Sequence, residues 1–488
     1  MSARIIDSDP DPDVETPLSA ARTSPMLRSF LILLMACVAF PTAAEIEPLQ
    51  VALGEMVEDV ACHSDPTQTY TLYMPSTYSS DHQYPVLLVF DPRGRSLLAA
   101  ELFREVAETY GWIIVSSDNT RSDGPWEPNL AAIQALWPEV HTRIPADFRR
   151  IYATGFSGGV AVATLLARTT GEIAGIIGCG GRLFENQLED DDMPFFSTAG
   201  NADFNFLEMY RLNEFLEQQG NPHRLVIFDG PHTWMPQGVA REAIEWMEIL
   251  AMKRGDRSRD GELIEALYAA DLDRAKLLAA DGQVVVAVSR LREMERTYGG
   301  IHDITEVKTE VERIEKGPEY RAQLKEAKRA RDYEANCMER RSAELSLLRN
   351  SDVPPPTAQL AGNLHIKDLQ RISRSTGEKG RAAQRCLNSL YSALSFYLPL
   401  DDLPKQRFAQ VEASYELSLM IRVDNAVVWY NLACVRANLG KESGAIKALA
   451  RSLELGFNNS ELLATDTDLD PLRQRDDFKA LMTSIPAQ

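Results

Sequence analysis

Between about residues 48 and 252, short apolar runs rich in β-branched residues alternate with longer amphipathic runs. The short runs are typical of buried strands, and the longer runs repeat apolar residues at the spacing of one helix face. Strands that alternate with helices indicate an α/β fold with a mostly parallel sheet and crossover helices. The predicted strands span residues 69–74, 85–90, 112–116, 150–154, 174–178, 194–199 and 224–228, and two of the predicted helices span residues 129–144 and 206–219.

The pattern changes at residues 253–261, a charged stretch punctuated by glycine that predicts a linker. Beyond it the strand signals almost vanish, and the remaining chain is predicted to be helical. Residues 320–350 are dense in Arg, Lys, Glu and Ala, which is typical of an amphipathic, solvent-exposed helix whose charges need no ligand. Three consecutive prolines at residues 354–356 then interrupt the pattern, because proline cannot continue a helix.

The C-terminal segment resembles a tetratricopeptide repeat of the type that ends many bacterial repeat arrays. With Trp429 as the fourth residue of a unit of about 34 residues, four more residues fall at the positions that the repeat requires: Leu432, Ala433, Gly440 and Ala445. Only this last repeat matches well, so a generic helical bundle is the alternative for residues 262–420. A stack of such repeats implies a concave surface for a protein or peptide partner.

The N-terminal segment holds one apolar run, residues 30–40, with arginine before it and small residues behind it. The run is too short to cross a bilayer, which takes roughly 20 residues. It therefore predicts a secretory signal peptide cleaved after Ala44, and a mature chain that is periplasmic or secreted and has no transmembrane helix. Residues 1–25 are polar and acidic, so Met26 is an alternative translation start. A lipobox-like sequence that ends at Cys37 makes lipid anchoring a second alternative.

The chain has 488 residues, more than a single hydrophobic core of about 250–300 residues accommodates. The breaks described above divide it into five predicted segments. They are a signal peptide at residues 1–44, an α/β domain at 45–255, a charged helical connection at 256–350, a proline-containing linker at 351–380 and tetratricopeptide-like (TPR-like) helical repeats at 381–488.

Charge and cysteine content exclude two classes of function. The net charge is −20 and the acidic residues are spread along the chain, which argues against nucleic-acid binding through a basic face. Removal of the signal leaves an odd, scattered set of cysteines without a CxxC pair, which predicts neither a metal site nor a disulfide framework. These cysteines are expected to be small buried residues: Cys62, Cys179, Cys337, Cys386 and Cys434.

A candidate catalytic serine lies at the centre of the G-x-S-x-G sequence at residues 155–159. This sequence follows the predicted strand 150–154 and precedes a helical run at residues 160–168. A strand, this turn and a helix in that order predict a nucleophile elbow, in which small flanking residues permit the strained turn that presents Ser157. A serine hydroxyl is a weak nucleophile until a base removes its proton, so a histidine oriented by a carboxylate is expected downstream.

The elbow and the order of the polar residues behind it resemble the α/β-hydrolase family, in which the triad follows the chain order Ser, Asp, His. The resemblance implies that Asp203, which follows the predicted strand 194–199, is the acid. It implies equally that His232, on the loop before the last helix of this region, is the base. Asp229 is the alternative acid, but it lies only three residues before His232 at a strand end and is expected to be structural.

Acyl transfer also needs backbone N–H donors for the oxyanion, normally one after the nucleophile and one from the loop after an early strand. Gly158 is expected to supply the first donor. The loop of residues 91–96 is expected to supply the second, and Arg93 is the best candidate because Pro92 has no N–H. No metal or organic cofactor is implied.

Residues 70–89 resemble the entrance of the esterase branch that contains polyhydroxybutyrate depolymerase-like and feruloyl-esterase-like enzymes. The resemblance covers about residues 65–250 and departs at the loop after residue 90, where Asp-Pro-Arg-Gly replaces the histidine-glycine type. It implies a carboxylic-ester hydrolase that acts on a small-molecule or polymeric ester through an acyl-enzyme on Ser157. One alternative is a serine peptidase of the same fold. The other is a binding protein in which the repeats act and the hydrolase is vestigial.

Overall fold

The computed structural model describes residues 49, 51–122, 125–181 and 192–483. The predicted signal peptide, the alternative start at Met26 and Cys37 lie outside these ranges. The chain divides into two compact units, of which one ends at Ala327 and the other begins at Lys328. Within the described ranges, no helix combines the length and the apolar character needed to span a bilayer.

The first unit is built on an eight-stranded sheet with the strand order β1-β2-β4-β3-β5-β6-β7-β8. Strand β2 runs antiparallel to β1 and β4, and the pairs from β4 through β3 to β8 are parallel. All seven predicted strands are confirmed as β2 to β8. The strands are β1 Met56–Ala61, β2 Thr69–Tyr73, β3 Tyr84–Phe90, β4 Ile113–Ser117, β5 Ala146–Phe156, β6 Gly175–Cys179, β7 Phe195–Gly200 and β8 His223–Phe228.

Strand β1 is the element that the hydrophobic pattern did not predict. It lies at the edge of the sheet, and its register with β2 shifts between Val57 and Val60. Within that irregularity, Asp59 adopts a φ of 55°. An irregularity of this kind breaks the alternation of apolar and polar positions, and edge strands carry charged residues that a buried strand excludes.

Helices cover both faces of the sheet, as the alternating pattern predicts. Along β3, Val86 and Leu88 pack in one apolar cluster while Leu87 and Val89 pack in the cluster on the other face. A strand buried on both faces is expected to be continuously apolar, as β3 is. The helices of this region are α1 Ser96–Glu101, α2 Arg104–Tyr110, α3 Glu127–Thr142, α4 Gly158–Thr170, α5 Phe206–Gln219 and α6 Gln237–Arg254.

Three further helices belong to the same compact unit: α7 Gly261–Ala280, α8 Val284–Tyr298 and α9 Thr305–Glu315. Ile249 and Met252 of α6 are buried in one apolar cluster with side chains of all three. The predicted boundary after residue 255 therefore falls inside this unit. The three helices belong to this unit because they bury the apolar face of α6 that does not pack on the sheet.

Helix α10, Pro318–Asn350, confirms the predicted long charged helix. The division between the two units falls within this helix. The predicted linker at residues 351–380 contains two short helices, and the assignment of the C-terminal helices to TPR-like repeats stays a prediction. The helices of the second unit after α10 are α11 Thr357–Asn363, α12 Ile366–Ser373, α13 Glu378–Ser392, α14 Leu398–Asp402, α15 Phe408–Ile421, α16 Ala426–Asn438, α17 Glu442–Glu454, α18 Ser460–Thr465 and α19 Asp476–Thr483.

Candidate active site

Ser157 lies in a tight turn between β5 and α4, with φ 54° and ψ −120°. Positive φ is costly for a residue with a side chain, so the surrounding chain must impose it. The flanking glycines show how close the turn is. A Cβ at Gly155 would lie 2.1 Å from the carbonyl carbon of Gly159, and a Cβ at Gly159 would lie 1.9 Å from the carbonyl oxygen of Phe90. Larger residues would push β3, β5 and α4 apart.

The three predicted side chains of the triad meet in one buried hydrogen-bonded chain. Ser157 Oγ lies 2.7 Å from His232 Nε2, and His232 Nδ1 lies 2.8 Å from Asp203 Oδ1. The exposed fractions of these residues are 0%, 3% and 0% respectively. Burial lowers the local dielectric, which strengthens each interaction along the chain.

Two loops carry the histidine and the carboxylate, and they are hydrogen-bonded to each other. Asn201 N donates to the Phe228 carbonyl at 2.8 Å, and Ala202 N donates to the Gly230 carbonyl at 2.9 Å. The exposed Asp229 accepts from Asn201 Nδ2 at 2.7 Å. Asp229 therefore ties the loops together, whereas Asp203 contacts the imidazole.

Asp203 is held by its own loop and by a glycine turn. Its Oδ1 also accepts from Asn205 N at 2.7 Å, and Asn205 Nδ2 donates to the Gly180 carbonyl at 2.7 Å. Gly180 has φ 56°, and a Cβ there would lie 2.7 Å from Asp203 Oδ2 and 3.2 Å from His232 Nδ1. In the described part of the chain, Asp203 Oδ2 is buried without a hydrogen-bond partner. Only a residue without a side chain leaves room for the carboxylate and the imidazole here.

Aromatic side chains surround the imidazole. The ring centroid of His232 lies 4.6 Å from that of Phe156 and 4.2 Å from that of Phe204. Trp234 packs against Phe156 at 5.7 Å. The hydrogen bonds hold the two ring nitrogens of His232, and these aromatic contacts restrict the orientation of the ring plane.

A second carboxylate, Asp91, joins the loop after β3 to the histidine loop. Trp234 Nε1 donates to Asp91 Oδ2 at 2.8 Å, and the guanidinium of Arg95 donates to the same carboxylate at 2.9 and 3.1 Å. Burial alone would raise the pKa of Asp91, but the hydrogen bonds from Arg95 and Trp234 outweigh it and hold that pKa below its usual value. The side chain is therefore an anion that anchors both loops.

The two predicted oxyanion donors differ in their surroundings. Gly158 is the first residue of α4, so its N–H lies at the positive end of the helix dipole. Arg93 N donates to Asp91 Oδ1 at 2.8 Å, so its N–H is engaged inside its own loop. Phe90, which precedes that loop, is the register partner of Gly155. The loop therefore starts beside the elbow.

Sequence reasoning missed three supporting residues: Asp91, Gly180 and Trp234. Asp91 follows directly on a buried strand, which is a signal for a functional carboxylate, but its partner Trp234 is 143 residues away along the chain. Gly180 directly follows β6 and carried no signal beyond its residue type. In the described ranges, no group of three or more His, Cys, Asp or Glu side chains could hold a metal ion.

No protein-family model and no curated protein matches the chain. Solved structures that it resembles include a ferulic acid esterase, with 16% identity, 36% of this chain and 89% of that chain covered, and a TM-score of 0.29. The s-formylglutathione hydrolase FrmB from Staphylococcus aureus has 16% identity, coverage of 41% and 99%, and a TM-score of 0.33. Dipeptidyl peptidase 4 from Porphyromonas gingivalis has 17% identity, coverage of 40% and 35%, and a TM-score of 0.31. Likeness at this level carries no argument about what this chain does.

Proposed function

We propose that the chain is a serine hydrolase that cleaves carboxylic esters through an acyl-enzyme on Ser157. The proposal rests on the chain of contacts from Ser157 Oγ to His232 Nε2 at 2.7 Å and from His232 Nδ1 to Asp203 Oδ1 at 2.8 Å. A nucleophile within hydrogen-bonding reach of a base, with the base oriented by a third group, is the arrangement that activates a serine hydroxyl.

In the first half of the reaction, His232 Nε2 takes the proton of Ser157 Oγ while that oxygen attacks the ester carbonyl carbon. Asp203 Oδ1 holds the imidazole by Nδ1 and stabilises the imidazolium. His232 then gives the proton to the leaving alkoxide oxygen as the ester C–O bond breaks. In the second half a water attacks the acyl-enzyme with His232 again as the base, which releases the carboxylic acid and restores Ser157.

The negative charge of each tetrahedral intermediate develops on the former carbonyl oxygen. In this proposal, Gly158 N–H at the N-terminus of α4 donates to that oxygen. The loop of residues 91–96 supplies the second donor. Arg93 can fill this role only by exchanging the Asp91 carboxylate for the oxyanion, because its N–H donates to Asp91 Oδ1.

A fluorophosphonate probe tests the proposal directly, since it labels only an activated serine. The full-length chain is expected to be labelled at Ser157, and a folded Ser157→Ala variant is expected to remain unlabelled. If folded wild-type protein is not labelled, the proposal of an enzyme is rejected. That result would favour the alternative of a binding protein with a vestigial hydrolase domain. A matched series of acyl esters and peptide anilides then distinguishes the esterase proposal from the peptidase alternative. Faster cleavage of the peptide substrates would favour the peptidase.

The location and the partner of the chain are further parts of the proposal. The apolar run and the small residues before position 45 support export and cleavage after Ala44. The N-terminal mass of the native protein tests both the cleavage and the alternative anchoring at Cys37. The repeat pattern at residues 381–488 supports binding of a protein or peptide.

A further inference from the structure

Cys337 of α10 and Cys386 of α13 meet inside the second unit. Their exposed fractions are 7% and 4%, and both lie in one apolar cluster with Leu369, Ala383 and Leu387. Two buried cysteines on two helices that share one small cluster can be joined by a disulfide when the helices align them.

Polar contacts on both sides of the cysteines fix how α10 and α13 are aligned. One turn before Cys337, Glu334 Oε1 and Oε2 accept from Arg385 Nε at 2.9 and 3.0 Å, and this ion pair is fully buried. One turn after it, Arg341 Nη1 donates to the Ser389 carbonyl at 3.3 Å. The two cysteines therefore lie between two polar contacts that join the same pair of helices.

The surroundings make Cys337 the more acidic thiol. The thiol of Cys386 lowers the pKa of Cys337 below its usual value, with Arg340 acting in the same direction and burial acting against both. The thiolate is the nucleophile in disulfide exchange, so the more acidic thiol attacks first.

We propose that Cys337 and Cys386 form a disulfide that links α10 to α13 when the chain folds in an oxidising compartment. The compartment rests on the proposed export of the chain, whereas the pairing rests on the shared buried cluster and on the polar contacts that align the two helices. The oxidant is a disulfide of the glutathione or oxidoreductase class. The Cys337 thiolate attacks one sulfur of that disulfide and displaces the other as a thiolate, which forms a mixed disulfide.

Cys386, after loss of its proton, then attacks the Cys337 sulfur and expels the oxidant as its second thiolate. Two thiols of the chain become one disulfide, the oxidant gains two electrons, and two protons are transferred. The bond closes a loop of about 50 residues, which removes conformational freedom from the unfolded chain.

Cys434 is the matched control because it is also a buried thiol of the second unit. Its sulfur lies 3.7 Å from Asp466 Oδ2, and burial raises its pKa well above the usual value. The carboxylate and the dry surroundings disfavour a thiolate there. Cys62 and Cys179 are buried in the first unit.

The test refolds the reduced full-length chain in a buffer of oxidised and reduced glutathione, blocks free thiols in denaturant and maps the peptides by mass spectrometry. We expect a peptide pair that joins residues 337 and 386, with two fewer blocked thiols than in the reduced sample. The unfolding temperature of the oxidised chain is expected to exceed that of the reduced chain by on the order of 5–10 °C. Cys386→Ala is expected to abolish the linked peptide and the shift, and Cys434→Ala to keep both.

Complete blocking of Cys337 and Cys386 in the oxidised wild-type sample would overturn the proposal, and so would a linked peptide that joins any other pair. This map needs no variant, so a misfolded variant does not affect the result. The readout is independent of hydrolase activity and of signal cleavage. Failure of either proposed property can therefore be distinguished from failure of the pairing.

Discussion

Two buried polar clusters of the first unit are built in opposite ways. The triad cluster sits on loops and a strained turn, around Ser157 at φ 54°, and one of its carboxylate oxygens, Asp203 Oδ2, has no hydrogen-bond partner among the described residues. The Arg224 cluster sits on regular elements, where β8 meets α6, α7 and α8. Arg224 Nε and Glu293 Oε2 of this second cluster also lack a hydrogen-bond partner among the described residues, so the two clusters differ in backbone strain and not in unsatisfied atoms. The contrast indicates that strain is kept where chemistry is proposed, while paired charges fasten helices to the sheet.

The Arg224 cluster joins two arginines to three carboxylates. Arg224 is 2% exposed and donates to Asp271 Oδ2 at 3.0 Å and to Glu242 Oε1 at 3.3 Å. Arg290 donates to Asp271 Oδ1 at 3.2 Å. Glu293 Oε1 accepts from Leu225 N at 3.3 Å, which satisfies a donor of the last strand of the sheet. Helices α7 and α8 are thereby part of the unit that carries the candidate site.

Two acids of this cluster have opposite pKa shifts for a visible reason. Asp271 accepts from Arg224, Arg290 and Tyr298, and these contacts overcome burial and lower its pKa to about 2. Glu293 Oε2 lies 3.8 Å from both arginines, too far for a hydrogen bond. Burial therefore dominates and raises the pKa of Glu293 to about 7.

The largest expected effect is on turnover, and it distinguishes the proposed acid Asp203 from the alternative acid Asp229. Asp203→Asn is expected to lower kcat by about 10⁴-fold, because an amide favours the wrong tautomer of His232. Asp229→Asn changes only the exposed contact to Asn201 and is expected to keep turnover near that of the wild type. Steady-state kinetics with one activated ester checks both, and the reverse ranking would make Asp229 the acid.

Breaking the Arg224 cluster is expected to affect stability without affecting chemistry. Arg224→Met leaves three buried carboxylates with Arg290 as their one remaining partner in the cluster and is expected to lower the free energy of unfolding by about 3–5 kcal/mol. Turnover per folded molecule is expected to stay unchanged, because Arg224 contacts no triad residue.

The matched control is Arg241→Met, which removes ion pairs with the exposed Glu105 and with Glu245 and is expected to cost at most about 1 kcal/mol. Urea unfolding, with turnover normalised to the fluorophosphonate-reactive fraction, measures both properties. Equal destabilisation by the two variants would show that the buried cluster does not fasten the helices.

Gly180→Ala tests the close approach at the triad. The new Cβ would lie 2.7 Å from Asp203 Oδ2 and 3.2 Å from His232 Nδ1, so the pair must move, and kcat is expected to fall by about 10²-fold. Gly171→Ala imposes similar backbone strain at φ 68° with no atom within 4 Å of the new Cβ. It is expected to lower stability and to leave kcat unchanged. If both variants lose turnover, the loss results from backbone strain and not from the close approach of the new Cβ to the triad.

The smallest expected effect is a pH dependence from Glu293. Its pKa of about 7 in the folded chain exceeds the unfolded value of about 4.3, so the folded state binds more protons between these values. The free energy of unfolding is therefore expected to fall as pH rises through that window, by about 2 kcal/mol. Asp271, with a pKa of about 2, adds no slope there because it is ionised in both states above about pH 5.

Glu293→Gln is expected to remove this fall. The arginines that face the side chain, Arg224, Arg290 and Arg296, stay charged throughout the range. Urea unfolding of wild type and variant at pH 5 and pH 7.5 measures the difference. Other titrating groups cancel in the comparison. Parallel curves for the two proteins would contradict the assignment of the slope to Glu293.

Asp203 and His232 were implied by a family resemblance, whereas the amino-acid pattern alone predicted seven of the eight strands and the turn that carries Ser157. Both rest on local information: the period of apolar residues reports which faces of an element are buried, and the G-x-S-x-G turn needs its small residues next to Ser157. The turn geometry at Gly155 and Gly159 agrees with that reasoning. Strand β1 escaped because its irregular, charged edge has no such period.

Tertiary structure decided which distant groups meet. The contact of Asp91 with Trp234 spans 143 residues, and that of Arg224 with Asp271 spans 47. The presence of Cys337 and Cys386 in one apolar cluster depends on how two separate helices are aligned. Each of these contacts is set by the order in which strands and helices pack, which no local period encodes. For the same reason, the sequence pattern of α6 shows that the helix has an apolar face but does not show that α7 to α9 pack against it.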